Sequence, residues 1–181
     1  IHYFLQNSYF CANKQNKLPK SYQLYFAACN QPFPARETTC RIMKIAIPQI
    51  NYHIGDISGN KDLIIAAIKK AKAMKAELVL FPEHAICGAY PQDLFDKEYF
   101  INECRVSIEQ IAEQCHNISA LIGCPNLDLE DGILMNAMFF IYDGEVRGGV
   151  NKTILSDYDV FDESRYFIPG ASNTPLRYRN Q

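Results

Sequence analysis

The chain has 181 residues, of which 48% are hydrophobic and 21% are charged, and its formal net charge is −2. This composition is typical of a globular protein, and no apolar run reaches the roughly 18 residues that a membrane-spanning helix needs. Because the net charge is so small, it does not favour nucleic acid or an anionic membrane as a partner. Chemistry on a small molecule remains open.

The cysteines and histidines show no pattern of a disulfide framework or a metal site. The seven cysteines are odd in number, irregularly spaced and without a C-x-x-C pair, which favours reduced thiols in the cytoplasm. The four histidines lack metal-ligand spacing, and His84 is interpreted as a loop residue. No glycine-rich phosphate-binding motif is present. We therefore predict neither a metal nor a cofactor in this chain.

The first 42 residues differ from the rest. They contain five Lys or Arg but only one acid, Glu37, and show no sustained helical or strand periodicity. The first methionine is Met43, and a clean strand pattern begins directly after it. We therefore interpret residues 1–42 as a leader or a non-native tail without structure, and expect the fold to occupy residues 43–181.

The segment after Met43 predicts a strand, a helix and a second strand. Residues 44–50 form a nearly continuous apolar run, typical of a central strand that is buried on both faces. A helix is expected over roughly residues 60–76, with Ser58 or Asn60 as its cap. Its apolar stripe consists of Ile64, Ala67, Ile68, Ala71 and Met74. Residues 77–81 predict a second buried strand, which a proline ends.

The elements that follow continue the alternation of helices and strands. They are a helix over 99–116, a strand over 120–124 and two strands over 135–142 and 145–150. Asp143-Gly144, between the last two strands, is a strong signal for a two-residue hairpin turn. The order of elements predicts an α/β fold in which helices pack on a mixed sheet.

Two charged residues directly follow predicted strands and are candidates for chemistry. Glu83 follows the second strand, and Lys152 follows the last one. Each residue alone is most simply explained as a solvated surface group, because acids and lysines are rarely buried. In α/β sheets, however, functional residues gather at the carboxyl ends of the strands. We therefore expect a site there.

Four sequence blocks, in this order and spacing, resemble the nitrilase, or carbon–nitrogen hydrolase, superfamily. The blocks are residues 43–60, 81–83, 90–94 and 151–170, so the resemblance covers residues 43 to about 171. Phe81-Pro82-Glu83 and the later lysine match the superfamily as a whole. The blocks at 90–94 and 157–163 are similar to a narrower branch, the glutaminase domains of glutamine-dependent NAD⁺ synthetases.

The resemblance implies a nitrilase-like α-β-β-α sandwich with a mixed sheet, incomplete in this chain. It also implies that Glu83 is a general base, that Lys152 stabilises a developing oxyanion, and that Glu163 is a second acid near them. Tyr90 and Phe161 are expected to line the substrate pocket. An inserted Ala89 separates Gly88 from Tyr90, where the family commonly has Gly-Tyr-Pro.

The family's catalytic cysteine has no counterpart here. In the family it follows the lysine on a later strand, whereas none of the seven cysteines comes after Lys152 and the chain ends at Gln181. We therefore interpret the cysteines as structural, including Cys87, which follows Glu83 by four positions. The 181-residue chain is expected to lack glutaminase activity by itself.

The resulting hypothesis is the N-terminal part of a glutamine amidohydrolase domain whose ammonia serves NAD⁺ synthesis. Its implied partners are glutamine, a C-terminal synthetase domain that uses ATP and Mg²⁺, and further copies in a homo-oligomer. One alternative is another nitrilase branch, such as an amidase or a carbamoylase. The other is a truncated, non-catalytic fragment that retains the first half of the fold.

Overall fold

The computed structural model describes residues 43–172, Pro175, Leu176, Tyr178 and the backbone of Leu24–Ala27. The strands are β1 (Leu24–Ala27), β2 (Ile45–Pro48), β3 (Leu78–Leu80), β4 (Ser119–Leu127), β5 (Leu134–Tyr142) and β6 (Glu145–Asn151). The helices are α1 (Ile57–Ala73) and α2 (Glu98–Ala112), with short 3₁₀ helices at Gln92–Asp96 and Glu163–Arg165.

The strands form one mixed sheet in which spatial order follows chain order. β2, β3 and β4 are parallel neighbours, while the pairs β1–β2, β4–β5 and β5–β6 are antiparallel. Parallel neighbours need a long crossover, which α1 provides between β2 and β3 and α2 between β3 and β4. The predicted α/β architecture with a mixed sheet is confirmed.

The two helices contact each other and bury their apolar residues in one core with the sheet. In α1 the predicted stripe is buried at Ile64, Ala67, Ile68 and Ala71, whereas Met74 is only half-buried. Within the described part of the chain, neither helix has the length and apolar character needed to cross a membrane.

Two details of the helices differ from the predictions. Asp56 caps α1, because its side chain accepts a hydrogen bond from the Gly59 amide. Asn60, one of the predicted caps, instead lies buried and bonds to backbone atoms of His53 and Ile86. Helix α2 ends earlier than predicted, and Cys115 is buried beyond its end.

Strand β2 is interior, as predicted, but is not buried on both faces. Ala46 and Pro48 are buried, whereas Ile45 and Ile47 are half-buried by the described residues. The two described helices and Ala46 of β2 belong to one core. Burial therefore alternates along β2, as expected for a strand that faces a core on one side only.

Strand β1 belongs to the segment that was expected to lack structure. Leu24–Ala27 pairs antiparallel with β2, with Leu24 opposite Pro48 and Ala27 opposite Ile45. For these four residues the expectation is wrong. Aromatic and apolar residues favour strands, and β2 otherwise has a free edge for pairing. The rest of residues 1–42 lies outside the described residues, so its interpretation as a leader or tail stays a prediction.

The sheet directions bring several strand ends to one edge. The parallel β3 and β4 both end there, the antiparallel β5 begins there, and β6 ends there. The predicted Asp143-Gly144 hairpin, with φ values of 53° and 82°, reverses the chain at the opposite edge. Residues just after β3 and β6 therefore meet residues at the start of β5.

Gly123 in β4 allows the loop after β3 to lie directly against the sheet. The Gly123 amide donates to the Pro82 carbonyl at 3.2 Å. A β-carbon at Gly123 would lie 2.5 Å from Glu83 Cα and 2.5 Å from the Pro82 oxygen. Since both are backbone atoms, no side-chain rotation can relieve the overlap.

Gly123→Ala is expected to lower the free energy of unfolding by about 2 kcal/mol, because overpacking against backbone forces a shift of the loop. Gly149→Ala is the matched control. Its β-carbon would lie 3.2 Å from the Met138 oxygen, a much smaller overlap than the 2.5 Å at Gly123, so its loss of stability should be smaller. Denaturant unfolding of the complete gene product measures both. Equal losses in the two variants would contradict the packing argument.

Candidate active site

Three elements bring charged side chains to the shared edge of the sheet. Glu83 comes from the loop after β3, Lys152 follows β6, and Glu163 begins the 3₁₀ helix Glu163–Arg165. The Lys152 amide donates to the Asn136 carbonyl at 2.7 Å, which extends the pairing of β6 with β5 by one residue. The structure thus gathers the three residues predicted to be catalytic.

The Lys152 ammonium bridges the two glutamates. Its Nζ lies 3.0 Å from Glu83 Oε1 and 2.8 Å from Glu163 Oε2. A third contact joins Nζ to Ser156 Oγ at 3.2 Å. Because an ammonium has three N–H groups, all of them have a partner. Burial lowers the pKa of Lys152, but hydrogen bonds and charge interactions with Glu163 and Glu83 outweigh this and raise it above its ordinary value.

Glu163 is the buried member of the pair of acids. Only 4% of its side chain is exposed. Besides Lys152, its carboxylate accepts from the Ser156 amide at 2.5 Å and from Asn136 Nδ2 at 3.0 Å. A buried charge requires such compensation. Glu163 is therefore a fixed anion that holds Lys152 in place.

Glu83 is the open member of the pair, with 42% of its side chain exposed. Partial burial raises its pKa, but the hydrogen bonds and charges around it, chiefly those of Lys152, outweigh burial and lower the pKa below its ordinary value. Glu83 is thus an ionised carboxylate at neutral pH, and solvent reaches it. An ionised carboxylate that solvent reaches is able to accept a proton from a substrate.

Asn136, near the start of β5, lies beneath both glutamates and is 2% exposed. Its Nδ2 donates to Glu83 Oε1 at 2.5 Å and to Glu163 Oε1 at 3.0 Å. His84 Nε2 lies 3.3 Å from the same nitrogen. His84 is a loop residue, as interpreted from the sequence, yet it is buried, and this burial lowers its pKa.

Tyr90 and Phe161, the predicted pocket residues, contact each other beside the site. Their ring centroids are 5.8 Å apart, in an edge-to-face arrangement. The Tyr90 hydroxyl accepts from the Asp162 amide at 2.6 Å, which ties the 3₁₀ helix of Glu163 to the loop after β3. Their contact with a substrate stays a prediction.

The four cysteines in the described part of the chain are all buried. They are Cys87, Cys104, Cys115 and Cys124, each 0% exposed. A hydrogen bond with Cys104 and burial raise the pKa of the Cys87 thiol well above its usual value. A buried thiol that resists ionisation is a poor nucleophile. Cys87 therefore has the properties of a structural residue.

Glu83, His84 and Glu163 each offer a potential metal ligand, and these atoms lie within 4.8 Å of one another. The Lys152 ammonium, however, already contacts both carboxylates. A divalent cation bound there would face a fixed positive charge at contact distance. We therefore assign no metal to this group.

Asn136 and Ser156 were missed by the sequence analysis. The signal for Asn136 is a polar side chain within an apolar strand, where an amide is retained only if its hydrogen bonds are satisfied. Ser156 carries no comparable signal, because serine is common in loops.

Comparison with known families decides the assignment. The family model for carbon-nitrogen hydrolase matches residues 44–177. The chain belongs to the carbon–nitrogen hydrolase family. The predicted resemblance to this superfamily is confirmed, and the site occupies the part of the chain that matches.

Relatives of this carbon–nitrogen hydrolase chain include glutamine-dependent NAD⁺ synthetases. The chain is 34% identical over 131 residues to the enzyme of Aquifex aeolicus, which covers 71% of the chain and 22% of that protein. It is 36% identical over 126 residues to that of Xylella fastidiosa, covering 69% of the chain and 23% of that protein. The chain thus spans about a quarter of the length of these relatives.

Solved structures show the same fold. The synthetase of Acinetobacter baumannii, in complex with ADP, superposes with a TM-score of 0.72 at 33% identity, over 76% of this chain and 26% of that one. An amidase from Nesterenkonia sp. superposes with a TM-score of 0.60 at 24% identity, over 75% of this chain and 51% of that one. The amidase supports the fold alone.

Lys152→Met is expected to lower the free energy of unfolding by about 3 kcal/mol at pH 7, because it leaves both Glu83 and the buried Glu163 without their cation. The loss should shrink at pH values below 4.5, the ordinary pKa of a glutamate. The pKa of Glu83 is lowered in the folded state, so its ion pair contributes above the unfolded pKa and is lost as pH falls through the folded one. Denaturant unfolding at both pH values measures the effect.

The matched control is Arg105→Met, which breaks an ion pair between two exposed side chains. The side chain of Arg105 is 51% exposed and that of its partner, Glu109, is 58% exposed. Its cost is expected to stay below about 1 kcal/mol. A Lys152→Met cost no larger than that of the control would contradict the bridging role.

Proposed function

We propose that this chain contributes the general base and the oxyanion-stabilising lysine of a glutamine amidohydrolase that supplies ammonia for NAD⁺ synthesis. The observation that carries the proposal is the Lys152 ammonium, held 2.8 Å from a buried Glu163 and 3.0 Å from a solvent-accessible Glu83. In this arrangement Glu163 holds Lys152 in place, whereas Glu83 is free to exchange a proton with a substrate.

The two acids take different roles because their surroundings differ. Glu83 would accept the proton of a cysteine thiol, so that the thiolate attacks the carboxamide carbon of glutamine and a carbon–sulfur bond forms. When the carbon–nitrogen bond breaks, Glu83 would return the proton to the leaving ammonia. Water then hydrolyses the thioester to glutamate. Glu163, which is buried and accepts from three donors, keeps Lys152 in position.

Lys152 is the group that would stabilise the tetrahedral intermediate. A fixed ammonium favours the oxyanion of that intermediate over the neutral carbonyl of the substrate, which lowers the barrier. All three of its N–H groups have protein partners, so one contact must be exchanged for the substrate oxygen. Proton uptake by Glu83 weakens its hold on Lys152 and makes that exchange easier at the moment when the oxyanion develops.

The nucleophile is proposed to lie outside the four described cysteines. All four are buried, and the nearest in sequence to Glu83 is Cys87, whose thiol resists ionisation. In the complete gene product, a cysteine from another segment would have to reach the exposed side of Glu83 and the Lys152 ammonium.

Glutamine is the proposed nitrogen donor because the relatives are glutamine-dependent NAD⁺ synthetases. Ammonia would then pass to a synthetase domain that amidates the deamido precursor of NAD⁺ with ATP and Mg²⁺. The ADP bound to the Acinetobacter baumannii relative is consistent with ATP use elsewhere in such a protein. The synthetase domain, assembly into a homo-oligomer and a cytoplasmic location are parts of the same proposal.

Glu83→Gln and Lys152→Met are each expected to lower glutamine-dependent NAD⁺ formation by about 10²–10⁴-fold, because each removes one catalytic contribution. Formation from free ammonia should survive, since it bypasses the amide hydrolysis. The assay compares both nitrogen sources in the complete gene product.

The matched control is Lys61→Met, because Lys61 contacts the neutral Gln110 on the protein surface. It should leave both activities unchanged. Equal loss with glutamine and with ammonia would reject the assignment of Glu83 and Lys152. Hydrolysis of simple amides without any NAD⁺ formation would favour the amidase alternative.

Cys87→Ser is expected to retain glutamine-dependent activity within about threefold of wild type, because a buried thiol far from its ionisation range is inert. The readout is ammonia release from glutamine. Complete loss of release in a variant whose denaturant unfolding matches that of wild type would make Cys87 the nucleophile and overturn the proposed site.

A further inference from the structure

The contacts of Asn136 go beyond those of a buried core amide. Its single Nδ2 donates to two carboxylate oxygens, Glu83 Oε1 at 2.5 Å and Glu163 Oε1 at 3.0 Å, and lies 3.3 Å from His84 Nε2. Since ionised carboxylates only accept hydrogen bonds, the amide must direct its nitrogen toward them. Among the described residues, Asn136 is thus a neutral donor that Glu83 and Glu163 share.

Asn136 also fixes where the lysine enters the site. Its backbone carbonyl accepts from the Lys152 amide at 2.7 Å, while its side chain contacts the same two carboxylates that the Lys152 ammonium contacts. One strand position therefore sets the separation of Lys152, Glu83 and Glu163. At 2% exposure, Asn136 has little freedom to take another rotamer.

We propose that Asn136 is a positioning residue of this site, which holds the Glu83 and Glu163 carboxylates around Lys152 and keeps Glu83 in the form that accepts a proton. The proposal rests on the proposed function. The two N–H groups of Nδ2 match the two carboxylate oxygens, which lie closer to this nitrogen than His84 Nε2 does.

The charges that face Glu83 come from several elements. Lys152 after β6 is the cation in contact, His84 is the neighbour in the same loop, and Glu163 is the anion across the site. Asp157 also interacts with Lys152 through its charge. With two carboxylates at one ammonium, the donor from Asn136 reduces their mutual repulsion, and it contributes to the lowered pKa of Glu83.

Asn136→Leu removes the donor while keeping the number and branching of the side-chain heavy atoms. The pKa of Glu83 should then rise by about one unit, since a hydrogen bond to a charged group is worth about this much. Because the base must be ionised, the acidic limb of the pH–rate profile for glutamine hydrolysis should move up by the same amount. We also expect kcat to fall by about 10–100-fold with little change in KM, because Glu83 is no longer held in position beside Lys152 while substrate binding is unaffected.

The matched control is Asn126→Leu. Asn126 is a partly buried amide on β4, but its Nδ2 donates to the neutral Asn151 Oδ1 at 3.3 Å. It should leave the acidic limb in place. Denaturant unfolding of the complete gene product reports whether each variant is folded, and Asn136→Ala is the second variant should leucine prevent folding.

The outcomes separate the two proposals. An acidic limb that stays in place in a folded Asn136 variant would overturn the positioning role, even if kcat falls. If wild type hydrolyses another amide and not glutamine, the proposed function fails and the pH comparison is made on that amide. Titration of the Glu83 carboxylate by ¹³C NMR gives the same shift, or its absence, without any substrate.

Discussion

The bridge from Lys152 to Glu83 and Glu163 is the contact on which the arrangement of this site depends. Two carboxylates close together repel each other, and a buried one is unstable without compensation. The ammonium, at 3.0 Å and 2.8 Å, compensates both. Because Glu163 is buried and Glu83 is open, one cation leaves one acid fixed and the other available for chemistry.

The strand directions in the sheet bring the residues of this bridge together. Glu83 and Lys152 are separated by 69 positions in sequence, yet both follow strands that end at the same edge. Gly123 lets the loop of Glu83 lie against β4. Asn136 lies near the start of β5, the strand with which β6 pairs on its way back to the site. The core formed by α1, α2 and the sheet fixes these strands. The backbone on both sides of the ion pair is therefore already ordered, and forming the pair costs little additional conformational entropy.

Much of the fold could be predicted because its signals are local. The apolar stripe of α1, the short apolar runs of the strands and the Asp143-Gly144 turn each reflect the residues at that position. The cap of α1 was misplaced, because Asp56, Ser58 and Asn60 are all good caps and only tertiary contacts select among them. Strand β1 was missed since its pairing depends on β2 and not on its own periodicity.

The charged residues of the site could also be predicted from the sequence, but their environments could not. Glu83, Lys152 and Glu163 stood out through their position after strands or through family resemblance, but the difference between the two acids is set by burial, which depends on packing. The hydrogen bonds of Asn136 and Ser156 join residues distant in sequence, and no local pattern carries that information.

The most direct test of the account is a crystal structure of the complete gene product after reaction with a glutamine analogue that carries an electrophilic ketone. We expect a covalent bond to a cysteine other than the four buried ones. The former ketone oxygen should lie within hydrogen-bond distance of Lys152 Nζ, and the Glu83 carboxylate should lie beside the sulfur. An adduct in which Lys152 keeps all of its protein contacts and lies away from that oxygen would contradict the account.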